Sequence, residues 1–371
     1  MDFGVGKGGD LHKWSKSNLS FVYGIDISRD NIHNRLDGAC ARYLDFSKTR
    51  KNIPAALFTN GNCSLNIRNG DAFKSPFGSQ KDKEISNAIF GKGPKDPTIL
   101  GSAVYKRYGD GQDGFNIVSS QFTMHYFFET LETLHNFVRN LAECTKLNGY
   151  FIGTCYDGEK VFNLLSDKQK NESFIIKNDD EKIFELTKLY DQTGFAANES
   201  SLGYDISVYQ STIGKHFKEY LVNFEYFQQV MSNYGFFLIN EDEAKQIGMP
   251  NSTGSFYEMF NIMESEIKKN PQSTIKYKNA NKMTANEKTI SFMNKYFVFQ
   301  KKNNVNADKI MQNFMKKNPE EVNLLEEPTE GKPEEGKPEE GKPEEGKPEE
   351  GKKKKTVTKQ KRKIKIQKDE D

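Results

Sequence analysis

The sequence is poor in the features that mark several function classes. It has one tryptophan and five histidines in 371 residues, and its four cysteines (Cys40, Cys63, Cys144, Cys155) lack C-x-x-C spacing. That pattern argues against a zinc ribbon or a disulfide-stapled scaffold, and fits reduced, mostly buried thiols in a cytosol-like compartment. No run approaches the roughly 18 apolar residues of a membrane span, and no secretory leader is legible. No Ser-His-Asp set or metal cluster stands out, so no metal and no membrane partner are expected. Lys7 is followed by Gly8 rather than Ser or Thr, which fits a phosphate-cradling P-loop badly. Formal net charge is only +2, but the charges are unevenly placed.

What is present begins with glycine. Gly4, Gly6 and Gly9 satisfy G-x-G-x-x-G, and Asp26 ends the next apolar run. Glycines let a backbone approach a ligand closely, and an acid at a strand's carboxyl end can grip ribose hydroxyls. The pattern predicts a doubly wound α/β fold. From spacing alone, a nicotinamide-dependent oxidoreductase fits nearly as well as a methyltransferase.

Periodicity supplies the rest of the frame. Residues 19–27 read as a strand and 30–44 as a helix with Asp30 at its N-cap; Asn69-Gly70-Asp71 turns the chain after a third strand. Residues 75–114 show no sustained period and read as a long loop. Residues 115–120 form a buried strand, and Leu131, Leu134, Val138 and Leu141 recur at helical spacing until Asn148-Gly149 stops them. Residues 150–154, 235–239 and 290–299 are strands. Between about 157 and 233 an insertion is expected to lid the ligand edge, with strands near 174–176 and 205–209 and helices near 182–191 and 224–234. The folded domain is expected to end at residue 302. A tail, 303–371, carries four copies of Gly-Lys-Pro-Glu-Glu from Gly331 to Glu350. These hold no apolar residue to offset ordering entropy, so disorder is expected. The basic run 352–368, with ten Lys or Arg, reads as a solvated tail, a weak attraction for RNA phosphates or a localisation signal.

The full string G-V-G-K-G-G-D-L-H-K-W over residues 4–14 resembles motif I of the mRNA cap (guanine-N7) methyltransferases. Further segments follow in the family's order: G-I-D-I-S (24–28) with A-R-Y (41–43), N-G-D (69–71), S-Q-F-T-M-H-Y-F-F-E (120–129), G-Y-F-I-G-T (149–154) and K-E-Y-L-V-N-F (218–224), where Lys218 replaces the usual proline. The resemblance runs to about residue 302. With Y-D-G-E-K (156–160) and S-F-M-N-K-Y-F-V-F (291–299) it is similar in detail to the methyltransferase lobe of large-DNA-virus capping enzymes. It implies a Rossmann-like class I fold dependent on S-adenosylmethionine. It also implies 5′-capped RNA as partner and a cytoplasmic setting, or a viral factory or virion, with a nuclear one as the alternative. Only Met1-Asp2-Phe3 precedes the turn, too short to pair along neighbouring strands. The resemblance therefore implies a polypeptide extending upstream through a strand and helix, fused to triphosphatase and guanylyltransferase lobes.

By the same resemblance, Gly4, Asp26, Asp71, Gln121 and Tyr126 hold the methyl donor. Lys7, Lys13, Arg42, His125 and Glu219 form the cap site, with Tyr296, or alternatively Asn294, on the last strand. Guanine N7 carries a lone pair in the ring plane, so its methylation needs no base; His125, Tyr126 and Glu219 are positioning groups and no nucleophile is expected. A non-catalytic cap- or RNA-binding module of the same fold is the remaining alternative.

Overall fold

The computed structural model describes residues 1–50 and 52–317. Twelve strands are described: β1 (Asp2–Phe3), β2 (Phe21–Asp26), β3 (Ala55–Asn60), β4 (Phe115–Gln121), β5 (Thr145–Tyr156), β6 (Ser173–Asn178), β7 (Glu181–Lys188), β8 (Asp205–Gln210), β9 (Lys215–Tyr220), β10 (Phe236–Leu238), β11 (Thr253–Ser255) and β12 (Asn294–Lys301). The main sheet runs β3-β2-β1-β4-β5-β12-β10, with β11 on β12. The first five strands in that order are mutually parallel, while β12 is antiparallel to β5 and to β10. The order reverses at β1, so β1 and β4 diverge there and open a crevice at their carboxyl ends, where doubly wound sheets bind ligands. Short as it is, β1 pairs with both neighbours, Asp2 opposite Gly24 and Ser119 and Phe3 opposite Ile25, contrary to the expectation above.

β2 reads F-V-Y-G-I-D and is buried almost throughout because both faces are covered. Its Gly24 allows close packing: a Cβ there would lie 2.9 Å from the Phe58 ring and 3.0 Å from Val5. The helix Leu131–Cys144 buries Leu134, Phe137, Val138 and Leu141 against the sheet, and Thr130 and Thr133 close a capping box at its start. Its last carbonyls meet the buried ammonium of Lys301, which donates to Ala142 O (2.7 Å) and Thr145 O (3.0 Å).

Several expectations need correction. The helix start at residue 30 is capped instead by Ser28, and the helix breaks into Arg29–His33 and Ala39–Thr49. The supposed loop 75–114 contains two helices, Gln80–Ile89 with a Ser79–Asp82 capping box and Pro97–Tyr105. Asn148-Gly149 does not stop the long helix. That helix ends at Cys144, and the pair sits in a bulge where Phe115 aligns with Thr145 but Ile117 with Tyr150. Residues 181–188 are a strand, not a helix: Phe184, Leu186 and Lys188 are buried at every second position.

The insertion is a four-stranded antiparallel sheet, β6-β7-β8-β9. Its inner face joins Val161, Leu165 and Tyr156 in a second core. The body also extends beyond residue 302. The helix Ala307–Lys317 packs on Leu131–Cys144, with Phe314 4.1 Å from the His135 ring and Asp308 3.4 Å from Arg139. The repeats and the basic run lie outside the described residues. None of the described helices is long and apolar enough to cross a membrane.

Candidate active site at the carboxyl edge of the sheet

One half of the site is built from the ends of β1 to β4. Gly4 and Val5 both donate their N–H to Ile25 O, at 2.9 and 3.1 Å. Gly4 is left-handed (φ +71°), and a Cβ there would lie 2.6 Å from Thr123 Cγ2. Only glycine fits this approach of the turn to the loop after β4. Thr123 in turn donates to Phe3 O at 3.0 Å. Asp26, buried at the end of β2, accepts from Gly6 N (2.8 Å), Ser28 N (2.8 Å) and Asn31 Nδ2 (3.0 Å). A carboxylate offers about four acceptor positions, so Asp26 keeps capacity for a hydroxyl. Asn60, at the end of β3, donates to the carbonyls of Asp26 and Ile27, both at 2.8 Å. Gln121, at the end of β4, donates to Ser119 Oγ (3.1 Å) and accepts from Thr154 Oγ1 (3.0 Å). A close glycine backbone beside a carboxylate with spare acceptor capacity fits a nucleoside with a vicinal diol.

The other half brings the turn after β4 against the lid. His125 and Tyr126 lie on the 3₁₀ turn Met124–Phe128, and Glu219 is on β9. His125 Nε2 is 3.4 Å from Glu219 Oε2. Although one is a base and the other an acid, this is not an ion pair. Burial holds the imidazole down at about 3 and pushes the carboxyl up to about 8, so both are neutral at pH 7. Neither nitrogen of His125 nor Glu219 Oε2 has a hydrogen-bond partner. Buried polar atoms without partners are rare in folded proteins, and here they cluster. The Tyr126 ring packs edge-on against His125, centroids 4.3 Å apart, and its phenol is raised by desolvation, then by Glu219 and Asp26.

The remaining candidates divide. Lys7 and Arg42 come together at the exposed mouth. Lys7 Nζ sits 2.7 Å from Asp37 and 3.5 Å from Asp30, its hydrogen bond to Asp37 raising the ammonium, and Arg42 Nη1 donates to Lys7 O at 3.0 Å. From the lid, Lys215 at the start of β9 acts electrostatically on Asp30. Lys13 instead pairs with Asp10 at 2.6 Å, and both line a cavity of about 650 Å³ that runs down the sheet face below Gln121. Asp71 opens a turn that is tied to the end of β3: Ala72 O accepts from Asn62 N at 2.8 Å, and the neighbouring Gly61 N donates to Asp26 O at 2.9 Å. Asp71 holds Asn69 (2.6 Å) and Lys74 (2.7 Å), the Lys74 contact lowering its carboxyl. Tyr296, on β12 opposite Thr154, donates its hydroxyl to Asn251 O at 3.2 Å. The alternative, Asn294, aligns opposite Tyr156 nearer the ligand edge, and its Oδ1 is buried without a partner.

Sequence reading missed Asp2 and Tyr156. Asp2 places a buried carboxyl beneath the glycine turn, pushed up to about 7 by burial and then by Asp10. An acid two residues before the first glycine was the available signal. Tyr156 was visible only as part of a family string.

A mixed sheet with a β1 switch point, a glycine turn and an acid ending β2 define the class I S-adenosylmethionine-dependent methyltransferase fold. The mRNA (guanine-N(7))-methyltransferase domain matches residues 98–302, and the chain belongs to that family. The dinucleotide-oxidoreductase reading of the glycine spacing is thereby set aside. The probable mRNA-capping enzyme of Acanthamoeba polyphaga mimivirus is 30% identical over 275 residues, which cover 72% of this chain and 20% of that protein. The mRNA cap guanine-N(7) methyltransferase of Aspergillus fumigatus is 31% identical over 45% of this chain and 23% of its own length. That of Saccharomyces cerevisiae is 26% identical over 65% and 46%. The matched stretch thus spans less than half of each of these relatives. Among solved structures, the CcbJ methyltransferase from Streptomyces caelestis aligns at TM-score 0.39 and 12% identity, covering 81% of this chain and 82% of that one.

Proposed function

We propose that this chain transfers a methyl group from S-adenosylmethionine to guanine N7 of the 5′ cap of RNA. The observation that carries the reading is the buried His125–Glu219 pair, 3.4 Å apart and without hydrogen-bond partners, with His125 on the turn that follows β4, two residues after Thr123 meets Gly4.

The donor, when bound, supplies a methyl group on a sulfonium with a neutral leaving group. The chain's own residues then bind, align and exclude water. Asp26 accepts from the ribose hydroxyls. Glu219, once ionised, accepts from guanine N1–H and the exocyclic amine together, and its charge stabilises the positive ring that N7 methylation produces. The lid strand β9 covers the pair, which keeps the field of that carboxylate unscreened. Lys7 and Arg42 at the mouth suit the triphosphate bridge, with Lys215 opposite. N7 needs no deprotonation, so alignment and electrostatics account for the rate. Of the two last-strand candidates, Asn294 with its unpartnered Oδ1 suits a polar contact to the base, and Tyr296 an aromatic one. The likeness to the mimivirus enzyme supports a role alongside the activities that build the cap.

Labelled methyl transfer to GpppA-capped RNA, followed by nuclease digestion, tests this. Label is expected in 7-methylguanosine. Label on the ribose or an internal adenine, with none at N7, would overturn it.

A further inference from the structure

The last hairpin of the lid is pinned across the sheet's carboxyl edge at two points. At one end Glu219 of β9 meets His125, on the turn after β4, at 3.4 Å. At the other end Gln210 of β8 donates Nε2 to the hydroxyl of Tyr156, the last residue of β5, at 3.4 Å. Ile206 aligns opposite Glu219, Val208 opposite Phe217 and Gln210 opposite Lys215. Residues directly opposite in an antiparallel pair share a face, as do alternate residues of one strand. Lys215, Phe217 and Glu219 therefore form a row on the face that looks onto the site, and Phe217 stands between the two pins.

The two faces of β9 are furnished differently. On the outer face Lys218 pairs with Asp205 at 3.2 Å, and His216 Nδ1 lies 3.1 Å from Ser207 Oγ, both across to β8. On the inner face Phe217 is 39% exposed and stacks on no other ring among the described residues, and Lys215 makes no ion pair among them. β9 is also the edge of the lid sheet, with β8 its one neighbour there. A single exposed phenyl is ordinary on a surface. This one is two residues from a buried carboxyl oxygen that has no partner, on the face that closes the crevice.

We propose that β9 holds the cap guanosine along its length: Phe217 packs on the nucleoside whose base edge meets Glu219, and Lys215 meets the first phosphates of the bridge. This rests on the cap-guanine reading of the site. Along a strand Phe217 stands about 7 Å and Lys215 about 13 Å from Glu219. A guanosine 5′-phosphate presents base edge, nucleoside body and phosphate in that order. Packing on an aromatic ring strengthens nucleoside binding without reading sequence, and an ammonium beside a phosphate adds a charge contact that salt screens.

The test is equilibrium binding of guanosine and of GpppA, with adenosylhomocysteine as the control for the donor half. Phe217→Ala is expected to weaken guanosine and GpppA alike, by about tenfold, with adenosylhomocysteine affinity and melting temperature unchanged. Phe217→Trp should keep GpppA affinity. Lys215→Gln should weaken GpppA about fivefold, make its binding less sensitive to salt, and leave guanosine unchanged. Unchanged GpppA affinity in Phe217→Ala overturns the inference, as does an equal loss for adenosylhomocysteine, which would give the phenyl to the donor. A Lys215→Gln variant that loses guanosine as much as GpppA overturns the order along β9. A wild type that binds adenosylhomocysteine but not GpppA overturns the reading of the site itself.

Discussion

The two halves of the site hold their carboxylates in opposite ways. Asp26 and Glu219 both end or nearly end a strand, and both are buried. Asp26 has three N–H donors from three positions of the chain. Glu219 Oε2 has none, and its neighbour His125 is equally bare. The first carboxylate therefore works before any ligand arrives, as the pin that fixes the glycine turn. The second is held in readiness at a cost to stability, which a base with two adjacent donors would remove. The difference teaches where function is separable from folding: on the Glu219 side it is, and on the Asp26 side it is not.

The strongest way to break this contrast is Asp26→Ala. It should abolish adenosylhomocysteine binding in calorimetry and also lower stability by roughly 2–4 kcal/mol in urea denaturation, because three donors lose their partner. A variant of normal stability would show that Asp26 is only a ligand contact. Glu219→Gln should do the reverse. Cap affinity should fall roughly 10- to 100-fold, as for loss of a charge-assisted bidentate contact, with donor affinity unchanged and melting temperature at pH 8 unchanged or higher. Loss of both affinities together would make Glu219 structural.

The protonation states sharpen the comparison. Glu219 in the free protein titrates at about 8, so cap binding that requires the carboxylate should weaken by roughly tenfold for each pH unit below 8, while donor binding stays flat. The stability signs follow. The raised carboxyl contributes stability that is complete below its unfolded value of 4.5 and is lost as pH rises through 8. His125, held neutral, contributes stability present above 6.5 and lost as pH falls through 3. Titrating cap and donor affinity from pH 6 to 9 checks the first claim, and melting Glu219→Gln beside the wild type over that range checks the second. The smallest effect concerns the far end of the body. Ending the chain after Lys317 should leave the melting temperature unchanged. Ending it after Lys302 should lower stability by roughly 2–3 kcal/mol through loss of the Phe314 and Ile310 packing.

The sheet and the Asp26 half were legible because their signals are local: a glycine turn, an acid ending an apolar run, and helical spacing before β5. The errors came where tertiary context decided. Residues 182–188 were read as a helix although Phe184, Leu186 and Lys188 alternate, and β9, which delivers Glu219, was known only by its family string. The helix 307–317 was hidden by polar composition, yet Ala307, Ile310, Met311 and Phe314 have helical spacing. Asp71 and Tyr296 were chosen by motif, and their contacts with Lys74 and with Asn251 O exist only in three dimensions.

Counting protons on binding tests the contrast most directly. Calorimetry of GpppA and of adenosylhomocysteine at pH 7, repeated in buffers of different ionisation enthalpy, separates proton release from the heat of contact. The cap dinucleotide should release about one proton, from Glu219, and adenosylhomocysteine none; in Glu219→Gln the release should vanish. Cap binding with no proton released, or release that persists in that variant, would contradict the assignment of Glu219 as the group that ionises to read guanine.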